Sequence, residues 1–120
     1  MQRLELPHPV SISLHILRSE RARTNAARET ERLATLSRLR AALGKLLPGQ
    51  AVWVFGSVLK PGRFTPTSDI DLALESEPPQ GQLLLMSEIA SDLDRPVDLL
   101  LLSETRLAEK IRGEGERWTL

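Results

Sequence analysis

The fold is decided by the stretch Ser68-Asp69-Ile70-Asp71-Leu72-Ala73-Leu74, in which two acidic residues open an apolar run. This pattern predicts a strand from Ile70 to Leu74. Side chains alternate between the two faces of a strand, so Asp69 and Asp71 share one face. Their carboxylates lie about 6–7 Å apart along the strand, at roughly 3.3 Å per residue. Like charges at this spacing repel, and a divalent cation would compensate them. The alternative is that both aspartates cap a loop and face water.

Two further strands are predicted, one before and one after this stretch. Ala51 to Phe55 is rich in residues that favour strands, and Gly56-Ser57 ends it. Val97 to Leu102 is a nearly continuous apolar run, which is typical of a well-buried strand. Between the second and third strands, Gln82 to Leu93 has its apolar residues at helical spacing.

The first half of the chain predicts an amphipathic helix. From Thr24 to Leu47 leucines recur at spacings of three and four, and Pro48-Gly49 stops the pattern. These leucines serve either the core or a dimer interface, which would make the protein a homo-oligomer. The preceding residues 1–23 form an N-terminal arm, in which the alternation from Val10 to Ile16 fits either a strand or the start of a helix.

The C-terminal segment predicts one more helix and a short strand. Ser103 is a candidate N-cap of a helix that Gly113 and Gly115 end. Residues 117–120 would add a short edge strand. The order of elements predicts an α/β domain with one small sheet over residues 24–120.

Composition and charge exclude several classes of protein. The chain has 120 residues, 41% of them hydrophobic, and no cysteine, so we expect one domain without disulfides or thiolate metal sites. No apolar run approaches the roughly 20 residues of a membrane span, and no signal peptide is visible, which favours a cytoplasmic protein. With a net charge of zero and few aromatic residues, general nucleic-acid binding is not expected.

The two parts of the chain carry opposite charge. Residues 1–50 contain nine Lys or Arg and four Asp or Glu, whereas residues 51–120 contain seven and twelve. The parts are therefore +5 and −5. A basic helix packed beside an acidic domain explains this asymmetry, and so does a basic arm that contacts nucleic acid or an acidic partner.

A glycine and a serine precede the acidic pair at a spacing that suits phosphate binding. Gly56-Ser57 lies thirteen residues before the pair, at the end of a neighbouring strand. Glycine lets the backbone approach a phosphate closely, and serine offers it a hydroxyl and an N–H. An ordinary turn is the alternative.

A third aspartate stands alone in the last predicted strand. Asp98 is the lone charge between Pro96 and Leu102, so it must be paired, protonated or bound to a cation if that strand is buried. Arg95 and Arg63 are candidate ion-pair partners. If the third strand lies beside the second, Asp98 instead completes a three-carboxylate cluster for two metal ions about 3.5–4 Å apart.

Together these motifs resemble a known family. Gly56-Ser57, Ser68-Asp69-Ile70-Asp71-Leu72 and Val97-Asp98-Leu99 are similar to the signature of polymerase-β-like nucleotidyltransferases, and specifically of the minimal nucleotidyltransferase (MNT) group. The resemblance covers roughly residues 30–120. It implies a nucleotidyltransferase-type small mixed sheet packed against helices, here with an N-terminal helical arm.

The resemblance also implies a role for each motif. Gly56 and Ser57 would contact the triphosphate of ATP, together with Ser68 of the acidic motif. Asp69 and Asp71 would bind two Mg²⁺ ions, and Asp98 would bind the catalytic one and help to activate the incoming hydroxyl. Many relatives carry an arginine just after the Gly-Ser pair, whose positive charge Lys60 and Arg63 would supply here.

The resemblance finally implies a partner. MNT proteins often act as antitoxins of a HEPN-type toxin, and some transfer AMP from ATP to a tyrosine of that toxin. A catalytically silent antitoxin is one alternative. Another is transfer to a small molecule of the aminoglycoside type.

Overall fold

The structure is a computed structural model that describes the backbone of residues 7–120 and side chains from residue 14 onward. Its helices are α1 (Pro7–Leu46), α2 (Gln82–Leu93) and α3 (Ala108–Glu114), and its strands are β1 (Ala51–Phe55), β2 (Ile70–Leu74), β3 (Val97–Leu101) and β4 (Glu116–Thr119). Short 3₁₀ turns cover Ser57–Leu59 and Leu102–Glu104. The predicted α/β fold is confirmed.

The four strands form one mixed sheet in the order β3-β2-β1-β4. β1 pairs antiparallel with both β2 and β4, whereas β2 and β3 run parallel. A parallel pair needs a crossover connection, and α2 supplies it. The predicted edge strand at the C-terminus is present as β4.

The hydrophobic core lies between one face of the sheet and the two longer helices. The second half of α1 contributes Leu39 and Leu43, and Leu47 follows directly after the helix; all three are completely buried. Opposite them, α2 contributes an equally buried set of Leu85, Ile89 and Leu93. Burying an apolar side chain of this size is worth about 1.5–3 kcal/mol. Most of the leucine pattern of α1 therefore serves the core of one chain.

The opposite face of the sheet is only partly covered. Ile111 of α3 is buried there against Ala73 of β2, and Phe55 and Leu100 pack around them. α3 has only seven residues, so it leaves part of this face open. Asp71 of β2 and Asp98 of β3 lie in that open part.

Two predicted boundaries were wrong. α1 begins at Pro7 rather than Thr24, because nothing between Val10 and Leu43 breaks a helix and an established helix elongates easily. The segment left undecided is thus helical, while residues 1–6 of the predicted arm lie outside the described residues. Ser103 is not the N-cap of α3, which begins at Ala108, because Ser103 lies within the 3₁₀ turn Leu102–Glu104 and Thr105 after it is extended. Gly113 lies inside α3, and only Gly115 ends it.

The N-terminal half of α1 extends beyond the domain. Its described side chains from Leu14 to Arg28 are almost all exposed, and the molecule is 77 Å long but only 27 by 21 Å across. Although α1 is long, its sequence is too polar for the inside of a bilayer, and no other described helix qualifies as a membrane span.

Glu75 ties three strands together at the end of β2. Its carboxylate accepts hydrogen bonds from the Arg117 guanidinium at 2.7 and 3.0 Å and from the Trp53 indole N–H at 2.9 Å. These bonds, first that of Arg117 and then that of Trp53, lower the pKa of Glu75 from 4.5 to about 2. Because the folded-state pKa is the lower one, the contribution to stability is present above pH 4.5 and is lost as the pH falls through about 2.

We predict that Glu75→Gln lowers the Tm at pH 7 by a few degrees at most, roughly as expected for a solvent-exposed ion pair. The difference from the wild type should shrink between pH 4.5 and about 2, where the carboxylate of Glu75 becomes protonated. Melting curves across this range provide the test. Glu104→Gln is the matched control, since Glu104 is exposed and forms no ion pair within the described part of the chain. A pH-independent difference would contradict the assignment.

Candidate functional site

Two aspartates stand side by side on the open face of the sheet. The parallel register of β2 and β3 pairs Asp71 directly with Asp98, so their side chains point the same way. Asp69 immediately precedes β2 and shares this face by the strand alternation. The condition on which Asp98 would join the acidic pair, that the third strand lies beside the second, is thus met.

The charge of this acidic pair is not compensated within the described residues. No described Lys, Arg or His side chain forms an ion pair with Asp69, Asp71 or Asp98. Burial, together with the negative charges of Asp98 and then Asp69, raises the pKa of Asp71 to about 6. The carboxylate of Asp71 is thus held in an environment that favours either a proton or a cation.

Asp98 differs from the expectation of a buried charge. Its side chain is exposed, because β3 is an edge strand of the sheet. Neither candidate ion-pair partner reaches it: Arg63 is exposed, and the guanidinium of Arg95 binds backbone carbonyls of the loop before β2. Asp98 is therefore not part of a buried ion pair.

The donor set fits a divalent cation that also binds phosphate. Among residues 14–120, no three carboxylate or imidazole groups converge closely enough to hold a metal ion by themselves. Mg²⁺ in nucleotide-binding sites commonly takes one or two carboxylates and fills its remaining positions with phosphate oxygens and water. The adjacent carboxylates of Asp71 and Asp98 supply such a pair of hard oxygen ligands.

Gly56 brings the turn after β1 against the acidic pair. It has φ 83° and ψ −157°, a conformation that is essentially limited to glycine. A Cβ atom at this position would lie 3.1 Å from Cγ of Asp71 and closer still to its Oδ2. The backbone therefore passes Asp71 at a distance that no other residue allows. Ser57 follows and begins the 3₁₀ turn.

A cavity of about 270 Å³ lies over this part of the sheet. Asp71 and Asp98 form its acidic side, and Lys60 and Lys110 bring positive charge to it. Its remaining lining residues are Phe55, Gly56, Leu100, Leu107, Ile111 and Glu114. Another cavity of about 290 Å³ lies between α1 and Phe64, but it contains a single carboxylate and lacks the acidic pair.

The cavity separates the predicted phosphate-binding residues into two groups. Gly56 and Lys60 line it, whereas Ser57, Arg63 and Ser68 do not. The Ser68 hydroxyl instead accepts a hydrogen bond from the backbone N–H of Thr65 at 2.9 Å, within the loop before β2. Lys110 was missed, because nothing in the sequence says over which face of the sheet α3 packs.

Solved toxin-antitoxin structures have folds similar to that of this chain. One, described as a toxin-antitoxin with AMP-PNP, is 26% identical over 70% of this chain and 73% of that chain, with a TM-score of 0.55. Another, described as the toxin-antitoxin MntA-HepT, is 23% identical over 73% of each chain, with a TM-score of 0.53, and shows the fold alone. The comparison with curated proteins gave no match.

A family match covers most of the folded domain. Residues 44–117, more than half of the chain, match the family described as Polymerase beta, Nucleotidyltransferase. The matched residues include β1, β2, β3 and the crossover helix α2 completely, and only the beginning of β4. The resemblance found in the motifs is thereby confirmed, and the chain belongs to the polymerase beta nucleotidyltransferase family.

Proposed function

We propose that this chain is a magnesium-dependent nucleotidyltransferase that transfers AMP from ATP to a protein partner, and that it acts as the antitoxin of a toxin-antitoxin pair. The observation that carries the proposal is the pairing of Asp71 with Asp98 beside Gly56, on an open face of the sheet. Support for the nucleotide and the pairing with a toxin comes from the similar toxin-antitoxin structure with AMP-PNP, an analogue of ATP.

The nucleotide would bind with its triphosphate between the turn after β1 and the acidic pair. Gly56 allows close approach of the backbone, and Ser57 offers a hydroxyl and an N–H to the phosphates. Lys60 and Lys110 line the same cavity and would neutralise phosphate charge. Lys60 lies 3.8 Å from Glu114, a loose pair between exposed side chains that a phosphate can replace.

The reaction is an in-line displacement at the α-phosphorus. The acceptor hydroxyl oxygen forms a bond to this phosphorus, the bond to the bridging oxygen of the β-phosphate breaks, and pyrophosphate leaves. Asp98, at the exposed edge of the cavity, would orient the acceptor hydroxyl and take its proton. Asp69 and Asp71 would hold the metal ions against the phosphates. Bound Mg²⁺ supplies stabilisation of the charge that develops on the attacking and leaving oxygens.

The size of the site favours an acceptor on another molecule. A cavity of about 270 Å³ is small for a nucleotide together with an acceptor. All four strands belong to one sheet, and the part of the chain that the structure describes contains no second sheet that could form a lobe for an acceptor. A hydroxyl carried on a partner protein can approach Asp98 from solvent.

We predict that Asp71→Asn and Asp98→Asn each lower nucleotidyl transfer by about 100-fold or more, and expect the same of Asp69→Asn. Without metal, the Tm of each variant should equal or exceed that of the wild type, since one of the mutually repelling charges is removed. Asp94→Asn is the matched control, because Asp94 is exposed and its left-handed backbone also suits asparagine. Activity within tenfold of the wild type for Asp71→Asn would exclude the assignment.

We predict that Gly56→Ala abolishes transfer, whereas Gly62→Ala does not. Both glycines have positive φ, 83° and 81°, so both substitutions strain the backbone. Only at Gly56 would the added methyl group also meet the Asp71 carboxylate; at Gly62 it meets nothing within 4 Å. Transfer assays and Tm values of the two variants separate backbone strain from loss of the site. Equal losses in both would show that strain alone is responsible.

We predict that the purified chain turns over ATP slowly and that its acceptor is the toxin encoded beside it. The test is incubation with Mg²⁺ and ATP labelled at the α-phosphate, in the presence of the co-expressed partner, of an aminoglycoside, or of neither. Label on the partner is the expected result. Label on an aminoglycoside but never on the partner would support a small-molecule transferase, and binding of the partner without any label would support a catalytically silent antitoxin.

A further inference from the structure

Two buried arginines bind the backbone of the two segments that carry the site. We call residues 56–59 the serine turn and residues 61–69 the acidic loop. Arg32 binds the first and Arg95 the second, although they come from different elements. Their side chains are only 10% and 8% exposed, which is unusual for arginine.

Arg95 holds the acidic loop by three carbonyl groups. Its Nη1 donates to the carbonyl oxygens of Thr65 at 3.1 Å, Pro66 at 3.2 Å and Ser68 at 2.9 Å. Its guanidinium also lies 4.3 Å from the centre of the buried Phe64 ring. The last of the three carbonyls belongs to the residue before Asp69, so this contact fixes the chain where the acidic motif begins.

Arg32 holds the serine turn in a similar manner. Its Nη1 donates to the carbonyl oxygen of Val58 at 3.0 Å in a buried contact. Val58 directly follows Ser57 and has no exposed surface. A hydrogen bond from α1 therefore holds the serine turn at the residue after Ser57.

Both arginines are paired with glutamates of α1. Glu29 binds two nitrogens of Arg32, at 2.9 and 2.6 Å, and the carboxylate of Glu31 lies 3.5 Å from Nη2 of Arg95. Residues 29–32 form one turn of α1, at the point where the exposed part of the helix meets the domain. One helical turn is thus linked to both segments of the site, directly through Arg32 and indirectly through the contact of Glu31 with Arg95. It also lies outside residues 44–117, which match the family.

We propose that Arg32 and Arg95 are positioning residues, through which this turn of α1 sets the geometry of the site. Arg95 orients Asp69 for the metal, and Arg32 orients Ser57 for the phosphates. The binding of metal at Asp69 and of phosphate at Ser57 rests on the proposed function. The hydrogen bonds by which the two arginines hold the serine turn and the acidic loop do not depend on it. Residues that orient metal ligands in this indirect way commonly affect metal affinity by about 10–100-fold.

The chain offers a matched control for this proposal. Arg38 also lies on α1 and also donates to a backbone carbonyl, that of Leu93 at 2.9 Å. That carbonyl belongs to the last residue of α2 and lies in neither the serine turn nor the acidic loop. Arg38→Gln therefore removes a hydrogen bond of similar length, made by an exposed arginine, and breaks no bond to either segment of the site.

The experiment compares Arg32→Gln, Arg95→Gln and Arg38→Gln with the wild type in the full chain. Hydrogen exchange reports on the amides of the serine turn and the acidic loop. The affinity for the non-hydrolysable analogue AMPCPP is measured in EDTA, and the affinity for Mn²⁺ is then measured by EPR with AMPCPP saturating. Arg95→Lys is included because it keeps the charge if Arg95→Gln does not fold, and it should give an intermediate effect.

The two variants should separate the two functions of the site. Arg95→Gln should speed exchange in the acidic loop and weaken Mn²⁺ binding by about tenfold or more, with AMPCPP affinity in EDTA retained. Arg32→Gln should speed exchange in the serine turn and weaken AMPCPP binding. Arg38→Gln should lower the Tm only. If Arg32→Gln and Arg95→Gln lowered the Tm without a selective change in exchange or in binding, their role would be merely structural, and that result overturns the proposal.

The exchange data keep this inference distinct from the proposed function. If the wild type bound neither AMPCPP nor Mn²⁺, the proposed function would fail, and exchange alone would decide whether the arginines hold the two segments. Unchanged exchange in the acidic loop of Arg95→Gln would refute the inference even in a fully active wild type. Unchanged Mn²⁺ affinity with faster exchange would refute the positioning of Asp69.

Discussion

The parallel pairing of β2 with β3 is the constraint on which the rest of the site depends. It requires a crossover, which α2 provides, and its register brings Asp71 beside Asp98 although 27 residues separate them in the chain. A shift of one residue would turn one of the two carboxylates to the core face. The fully buried Ile70 and Leu72 prevent that shift, because they occupy the core face on either side of Asp71.

The two faces of the sheet have different roles, one in stability and the other in the candidate site. The face against α1 and α2 is closed by large, fully buried side chains and supplies most of the stability. The other face has only the short α3 and carries negative charge that no described side chain neutralises. In the absence of a ligand, the repulsion between these carboxylates destabilises the folded state. The apolar core on the face packed against α1 and α2 must offset this cost.

α1 combines two structural roles along its length. Its C-terminal half completes the core, and the turn at residues 29–32 is linked to the segments before β2 and after β1, through the Glu31–Arg95 pair and through Arg32. The buried guanidinium groups of Arg32 and Arg95 are acceptable there because carbonyl groups and glutamates satisfy them. The stability of α1 and the geometry of the site are thus physically linked.

The sequence by itself determined the three long strands, α2 and the acidic motif, because period-two and helical apolar patterns are local signals. It also indicated, through Asp69, Asp71 and Asp98, that a charge cluster would form if two strands were neighbours. Only the tertiary structure decided that they are, that Asp98 sits on an open edge, and that Lys110 rather than Arg63 lines the cavity. Which face a short helix covers, and which carbonyls a long arginine reaches, depend on packing between distant segments, and no local pattern encodes that.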